Sequence, residues 1–199
     1  AGKLEYGTDK NGNWGLNNAQ VNGMDPVKVG KMLVDQKTHA TAHNLASSSA
    51  WEKMWSEASR TGSSDATNQS MMNQISSSTN ESLRREVAEG SGWAKEANHQ
   101  ERADVQAALS TGGRLVVGAN GSEGVTAQYG NGTSRKLNLS ENTATSLANS
   151  VSRADTESLG NVLSTTQGRD WVSGLAQRTG NTDTSSTLDE IRNIDRSQA

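Results

Sequence analysis

The sequence predicts a mainly α fold, an elongated helical body that carries one or two small β-hairpins. Three observations support this prediction. Apolar residues recur at helical spacing along most of the 199-residue chain. Two short segments alternate with period 2 around Gly-rich turns. Leu, Ile, Val and Phe make up only about 15% of the residues, below the roughly 20% at which a globular core becomes doubtful. Ala, Met and Trp supply the other apolar residues on one narrow face of each predicted helix, so we expect a thin hydrophobic core. If the Gly-rich segment packs as a sheet, the class becomes α+β.

Composition excludes several classes of function. The chain has no Cys, a formal net charge of −3 and a pI of about 5.6. Without Cys there is no disulfide, no Cys-ligated zinc and no thiol nucleophile. Lys and Arg are scattered, so we expect no nucleic-acid partner. No window approaches the ~20 consecutive apolar residues of a transmembrane helix, so we expect membrane contact only through a domain outside this chain.

The N-terminal segment, residues 1–23, is predicted to hold a small β-hairpin over residues 3–18. The pair Asn11-Gly12 lies between residues of strand type, and Asn-Gly is the strongest short-range hairpin signal. This segment therefore precedes the helical part of the chain as a separate small element.

A calcium loop is the rival interpretation of the same turn. Asp9, Asn11 and Asn13 offer oxygen ligands at alternate positions, as a hard cation requires. Trp14 stands where an EF-hand loop needs Gly, and Gln20 where it needs a bidentate Glu. The pattern therefore favours a turn.

Residues 24–111 are predicted to be helical. Asp25 is a suitable N-cap, and Pro26 occupies a first helical position, where its missing N–H costs nothing. The apolar periodicity then predicts four helices, from Pro26 to about residue 46, around residues 50–61, over about 65–89, and as one helix from about residue 91 until Gly112-Gly113 ends it.

Residues 112–138 form a Gly-rich segment and residues 139–199 a second helical region. Residues 115–117 and 125–129 read as the two strands of a hairpin. The second region is predicted to hold a helix capped by Ser140, a short helix that opens at Asp170, and a last helix from near residue 185 or 186. We expect these segments to be one continuous fragment of a larger protein.

The aromatic residues fall into two predicted roles. A Trp buries roughly 200 Å² and can anchor a helix made mostly of Ala and Ser. We expect four of them to be structural anchors and two aromatic residues to be candidate partner contacts, namely Trp51, Trp55, Trp93 and Trp171 as anchors, and Trp14 and Tyr129 as contacts.

No arrangement of residues predicts catalysis, a cofactor or a metal. His39 and His43 share a helical face with Asp35, but the Glu of a zinc-protease motif is missing and a metal site normally has three or four ligands. The glycines in residues 118–124 match neither the dinucleotide fingerprint nor a phosphate loop. We therefore expect no catalytic, cofactor-binding or metal-binding residues.

Beyond these local patterns, the order of segments resembles a known family. The Gly-rich run GRLVVGANGSEGVTAQYGNG is followed by the Ser/Ala-rich helical run LSENTATSLANSVSRADTESLGNVLS. From about residue 36 onward the chain resembles the soluble C-terminal region of the TraG family of F-type conjugative type IV secretion systems. The resemblance implies a role in mating-pair stabilisation and entry exclusion, and an N-terminal membrane domain outside this chain. It supplies no functional residues, because no motif matches position by position.

The sequence thus favours a non-enzymatic protein–protein interaction module of a conjugation apparatus. The expected partners are other proteins of the transfer apparatus or a membrane protein of the recipient cell. The expected location is the bacterial periplasm or envelope, as the soluble part of an inner-membrane protein. Two alternatives stay open at this point, an internal structural protein of a phage virion and a domain that acts enzymatically on the cell wall.

Overall fold

A computed structural model describes residues 6–8, 14–16, 26–61, 65–117, 124–129 and 131–197, and it confirms a mainly α chain with small antiparallel β elements. In this part of the chain the helices are α1 (Pro26–Ala46), α2 (Ser49–Thr61), α3 (Ala66–Glu89), α4 (Gly92–Glu96), α5 (His99–Ser110), α6 (Glu141–Leu163), α7 (Thr166–Arg178) and α8 (Thr182–Ser197). The strands are β1 (Tyr6–Thr8), β2 (Trp14–Leu16), β3 (Arg114–Val117), β4 (Val125–Gln128) and β5 (Ser134–Lys136).

The strands form two antiparallel sheets. β1 pairs with β2, with Tyr6 opposite Leu16, as the predicted N-terminal hairpin requires. The turn that joins them, including the rejected calcium ligands, lies outside the described residues. In the second sheet the order is β3-β4-β5, so the predicted hairpin has a third strand. β5 has only exposed polar side chains and therefore gives no period-2 apolar signal.

The first three helices begin and end close to the predicted positions, whereas the prediction of one helix from residue 91 to 111 is wrong. The helix is interrupted between α4 and α5, where Ala97 is extended and Asn98 caps α5. The Asn98 side chain accepts a hydrogen bond from the N–H of Glu101, and the Glu101 side chain accepts one from the N–H of Asn98. This capping box makes a new helix start more favourable than a continued helix.

The last two helices begin earlier than predicted. α7 begins at Thr166, four residues before Asp170, because Thr165 Oγ1 accepts a hydrogen bond from Gly168 N at 3.0 Å. α8 begins at Thr182, not near residue 185, and the side chain of Asn181 accepts from Thr184 N at 3.3 Å. Both caps lie outside the apolar stripes, so periodicity alone places the helix starts too late.

Two compact units divide the chain. One combines Ala1–Asn68 with Leu159–Ala199, and the other is Gln69–Ser158. The divisions fall inside α3 and α6, whereas the four segments read from the sequence follow changes in composition along the chain. In the first unit α1 packs against α8, and α7 packs against both α8 and α2.

The second unit has one buried cluster that joins helices and sheet. β3 and β4 contribute Leu115 and Val125, and α6 contributes Leu147 and Val151. Trp93 from α4 is fully buried among them. The three-stranded sheet therefore lies on helices, which a ribbon of this size needs because two or three short strands are marginal by themselves.

Candidate functional site

The four predicted anchor residues are all buried. Trp51 and Trp55 lie on α2 with ring centroids 5.6 Å apart at 64°, an edge-to-face arrangement. Trp93 donates from Nε1 to the carbonyl oxygen of Leu83 at 3.1 Å. Burying these rings removes large apolar areas from water. Their contribution to stability remains a prediction, tested below.

Trp171 is held by a buried chain of two hydrogen bonds. Its Nε1 donates to Asn68 Oδ1 at 2.6 Å, while Asn68 Nδ2 donates to the carbonyl oxygen of Ala58 at 2.7 Å. One buried amide therefore links α2, the start of α3 and α7 inside the first unit. Asn68 also begins an Asn-x-Ser triplet, but its burial, 3% exposed, leaves no room for a glycan in the folded chain.

The two candidate partner contacts differ in what the structure describes. Tyr129 follows β4, is half-buried and packs against the core cluster of the second unit. Gly113 lies so close that a Cβ there would approach Tyr129 Cε1 to 3.1 Å. Trp14 begins β2, and its side chain lies outside the described residues.

The candidate metal ligands on α1 do not form a cluster. Asp35, His39 and His43 are all exposed along the helix. Across the described residues, no group of three His, Cys, Asp or Glu side chains is arranged to hold a metal ion. In the same part of the chain, no helix is long and apolar enough to span a bilayer.

Glu101 is a buried carboxylate that joins two helix starts in the second unit. Besides capping α5, it accepts a hydrogen bond from Ser140 N at 2.7 Å and from Thr143 Oγ1 at 3.0 Å, both at the start of α6. Burial by itself raises the pKa of the Glu101 carboxyl, but the hydrogen bonds from Asn98, Ser140 and Thr143 lower it by more, so the pKa lies below its ordinary value of 4.5. Glu101 is therefore held as an anion by the fold.

A second buried carboxylate lies between α3 and α6 in the same unit. Thr79 Oγ1 donates to Asp155 Oδ1 at 2.8 Å and lies 3.3 Å from Ser158 Oγ. Thr79 interrupts the apolar stripe of α3, and its hydroxyl explains why a polar residue can occupy that buried position.

A cleft of about 420 Å³ opens in the first unit, next to a buried arginine. One wall is α1, with Lys31, Val34, Asp35 and Thr38 at one helical face. The other walls are Ser164, Arg169 of α7 and Asp195 of α8. This volume lies within the ~300–1,000 Å³ of small-molecule sites.

Arg169 connects three helices at this cleft. Its Nη1 donates to the carbonyl oxygen of Leu163 at 3.1 Å, and its Nη2 donates to Asp195 Oδ2 at 2.7 Å. Within the described part of the chain, Arg169 Nε and Thr38 Oγ1 are both buried without a hydrogen-bond partner. The cleft thus combines both signs of charge with buried polar atoms that lack partners.

These cleft residues belong to no sequence motif, although the sequence carries a weaker signal for them. Thr38 occupies the same helical face as Val34 and Leu45, where an apolar residue is expected, and Arg169 precedes Val172 by three residues on a buried stripe. A polar residue on an apolar stripe indicates a buried network or a site. Which of the two applies depends on the helices that pack against it.

Comparisons with protein-family models, with curated proteins and with solved structures give no match to this chain.

Proposed function

We propose that this chain is a non-enzymatic protein–protein interaction module of a bacterial conjugation apparatus, which contributes to mating-pair stabilisation, entry exclusion or both. The observation that carries the proposal is the order of the Gly-rich β3–β4 segment and the Ser/Ala-rich α6, the segments that resemble the TraG family. The common packing of these segments supports treating them as one module, because Leu115, Val125 and Leu147 belong to one buried cluster.

The use of the buried charged groups also supports an interaction role. The Glu101 carboxylate accepts hydrogen bonds at the starts of α5 and α6, and the Asp155 carboxylate accepts one from Thr79. General acid–base work requires a carboxyl that can reach a substrate proton. These groups are engaged inside the fold, so the surface of polar helices is the part that a partner would meet.

Trp14 in the first unit and Tyr129 in the second are each proposed as a partner contact. Aromatic side chains supply a large share of binding energy in protein interfaces, because they bury much area at low entropic cost. Tyr129 is half-buried, so its ring stays fixed by the core while its edge can contact a second protein.

Direct binding tests this function. The purified chain is immobilised and offered a detergent-solubilised inner-membrane exclusion protein encoded by the same mobile element. We expect retention of that protein and a measurable heat of binding in calorimetry. Lack of association in both measurements would overturn the entry-exclusion role.

Matched variants then test the proposed contacts. Trp14→Ala is expected to weaken binding about tenfold or more, as interface aromatic residues do. Val27→Ala is the control, since Val27 is a large apolar residue that is 47% exposed and outside the proposed surface. Equal effects of the two substitutions would contradict the assignment of Trp14.

The alternative roles give different results. A virion protein would be recovered in purified phage particles, and its gene would lie among tail genes. A cell-wall enzyme would release soluble fragments from purified cell wall. Either result, in the absence of partner binding, would replace the conjugation role.

A further inference from the structure

The cleft beside Arg169 contains charges that the fold does not use. Lys31 and Asp35 line it, both are exposed, and neither side chain has a hydrogen bond or ion pair with another described residue. Arg169 and Asp195, by contrast, neutralise each other at 2.7 Å. Among the described residues that line it, the cleft therefore offers one free cation, Lys31, and one free anion, Asp35, on a single face of α1.

The same cleft also has polar atoms that the fold leaves unsatisfied. Thr38 and Arg169 are 7% and 4% exposed, and Thr38 Oγ1 and Arg169 Nε have no partner. A buried polar atom without a partner destabilises the folded chain. A ligand that supplies an acceptor and a donor there recovers part of that cost, so these atoms favour a polar occupant over an apolar one.

We propose that this cleft binds a short zwitterionic peptide, with the ligand carboxylate at Lys31, the ligand ammonium group at Asp35 and a peptide group next to Thr38 and Arg169. The free charges of the cleft are of opposite sign and equal number, which matches a ligand that is itself neutral but dipolar. A purely anionic ligand would meet the carboxylates of Asp35 and Asp195, and a purely cationic one would meet Lys31 and Arg169.

The spacing of Lys31 and Asp35 along α1 is compatible with a short ligand. Lys31 and Asp35 are four residues apart on α1, which corresponds to about 6 Å along the helix axis. An extended dipeptide spans about 7 Å. A dipeptide can therefore place its two charged ends at these two side chains, and the cleft volume of about 420 Å³ accommodates it.

Four forms of one dipeptide test the charge requirement with the full chain. They are Ala-Ala, N-acetyl-Ala-Ala, Ala-Ala-amide and the doubly blocked N-acetyl-Ala-Ala-amide, titrated in two-dimensional amide NMR and in calorimetry. We expect Ala-Ala to bind with a dissociation constant of about 1–10 mM, as befits a small ligand. Blocking either end is expected to weaken binding about fivefold, the value of one partly exposed ion pair.

Variants of the two free charges assign each end. Lys31→Met is expected to weaken the binding of Ala-Ala about fivefold. It should leave the affinity for Ala-Ala-amide unchanged, because that peptide has no carboxylate for Lys31 to bind. Asp35→Asn is expected to weaken Ala-Ala similarly and to leave N-acetyl-Ala-Ala unchanged. Both residues are exposed and have no side-chain partner among the described residues, so the variants should fold.

A pair of threonines separates binding from stability. Thr38 and Thr41 are both buried on α1 with unpartnered Oγ1 atoms, but only Thr38 lines the cleft. Thr38→Val and Thr41→Val should each leave the melting temperature unchanged or raise it, since each removes an unsatisfied hydroxyl. Only Thr38→Val is expected to weaken Ala-Ala, about threefold or more.

Three results would overturn the proposal. The first is equal binding of all four peptides. The second is the absence of any shift of the cleft amide signals at about 50 mM peptide, a concentration well above the expected dissociation constant. The third is an equal effect of Thr38→Val and Thr41→Val on the affinity for Ala-Ala. This site is independent of the proposed conjugation role, because its test uses no partner protein. Loss of either conclusion leaves the other unaffected.

Discussion

Trp171 Nε1 donates a 2.6 Å hydrogen bond to Asn68 Oδ1, across 103 residues of sequence. The same Asn68 amide donates to the carbonyl oxygen of Ala58, near the end of α2. A single polar side chain therefore satisfies the buried indole N–H and shares the Ala58 carbonyl with Thr61 Oγ1, which donates to it at 3.3 Å. Because an unsatisfied buried polar group is costly, this contact stabilises the packing of α2 and α7.

Asn68→Ala is accordingly expected to destabilise the chain by about 1–3 kcal/mol, since it removes the acceptor of the buried Trp171 indole N–H. Denaturant unfolding followed by Trp fluorescence measures this change. Asn73→Ala is the control, because Asn73 is an exposed residue of the same helix and should cost less than about 0.5 kcal/mol. Similar losses for the two variants would show that the Asn68 contacts contribute little.

Glu101 predicts a pH dependence of stability. Its pKa is lowered in the folded chain, so the folded state binds this proton less readily than the unfolded state. The stabilisation is therefore complete above the unfolded pKa of about 4.5 and is lost as pH falls through the lower folded value. Unfolding should be measured between about pH 3 and pH 7, an interval that includes the usual pKa range of a glutamate carboxyl. We expect the free energy of unfolding to fall toward the acid end of that interval.

Glu101→Gln isolates that contribution. The amide cannot accept all the hydrogen bonds that the carboxylate accepts from Asn98, Ser140 and Thr143, so we expect a loss of about 2 kcal/mol at pH 7. The variant should also show a shallower decline of stability in acid. Glu96→Gln, on an exposed residue nearby, is the control. A wild-type acid profile in Glu101→Gln would contradict the assignment.

Gly168 and Gly160 predict opposite effects of the same substitution. A Cβ at Gly168 would collide with the carbonyl oxygen of Val162, whereas a Cβ at Gly160 in α6 would meet nothing within 4 Å. Gly168→Ala should therefore destabilise by about 3 kcal/mol or more through forced backbone shifts. Gly160→Ala should stabilise by about 0.5–1 kcal/mol through helix propensity.

Thermal unfolding of both glycine variants measures the difference. The melting temperatures should move in opposite directions relative to the unmodified chain. A Gly168→Ala variant as stable as Gly160→Ala would mean that α6 and α7 approach each other less closely than described.

Trp55→Ala tests the anchor role on α2. Trp55 is 8% exposed and contacts Trp51 edge-to-face, so its truncation should cost about 3–5 kcal/mol through lost burial and a cavity. Ser56→Ala, at an exposed neighbouring position, is the control. A melting curve unchanged by Trp55→Ala would contradict the anchor role.

Local sequence signals predict most of the helices but not the caps. Pro26 starts α1 where its fixed φ and absent N–H predict, and the stripe that contains Trp51 and Met54 predicts α2. Asn98 and Thr165 are less visible, because a single Asn or Thr is common in this chain. Each side chain caps a helix only where the following backbone N–H groups point toward it.

The candidate site was the least predictable part. Thr38 and Arg169 lie 131 residues apart, and neither belongs to a recognised motif. Their meeting depends on α1, α7 and α8 packing around one point. The sequence pattern of one helix does not predict which polar residues of another helix will pack against it.

The sequence by itself determined the mainly α class, the spacing of apolar stripes, the position of the Gly-rich strands and the scarcity of branched aliphatic residues, because each of these is a local or compositional property. Tertiary structure alone decided how buried polar residues are used. Asn68 and Glu101 became hydrogen-bonded links, while Thr38 and Lys31 became the lining of a cleft. The physical reason is that a polar group acquires its energetic meaning from its burial and its partners, and both come from distant parts of the chain.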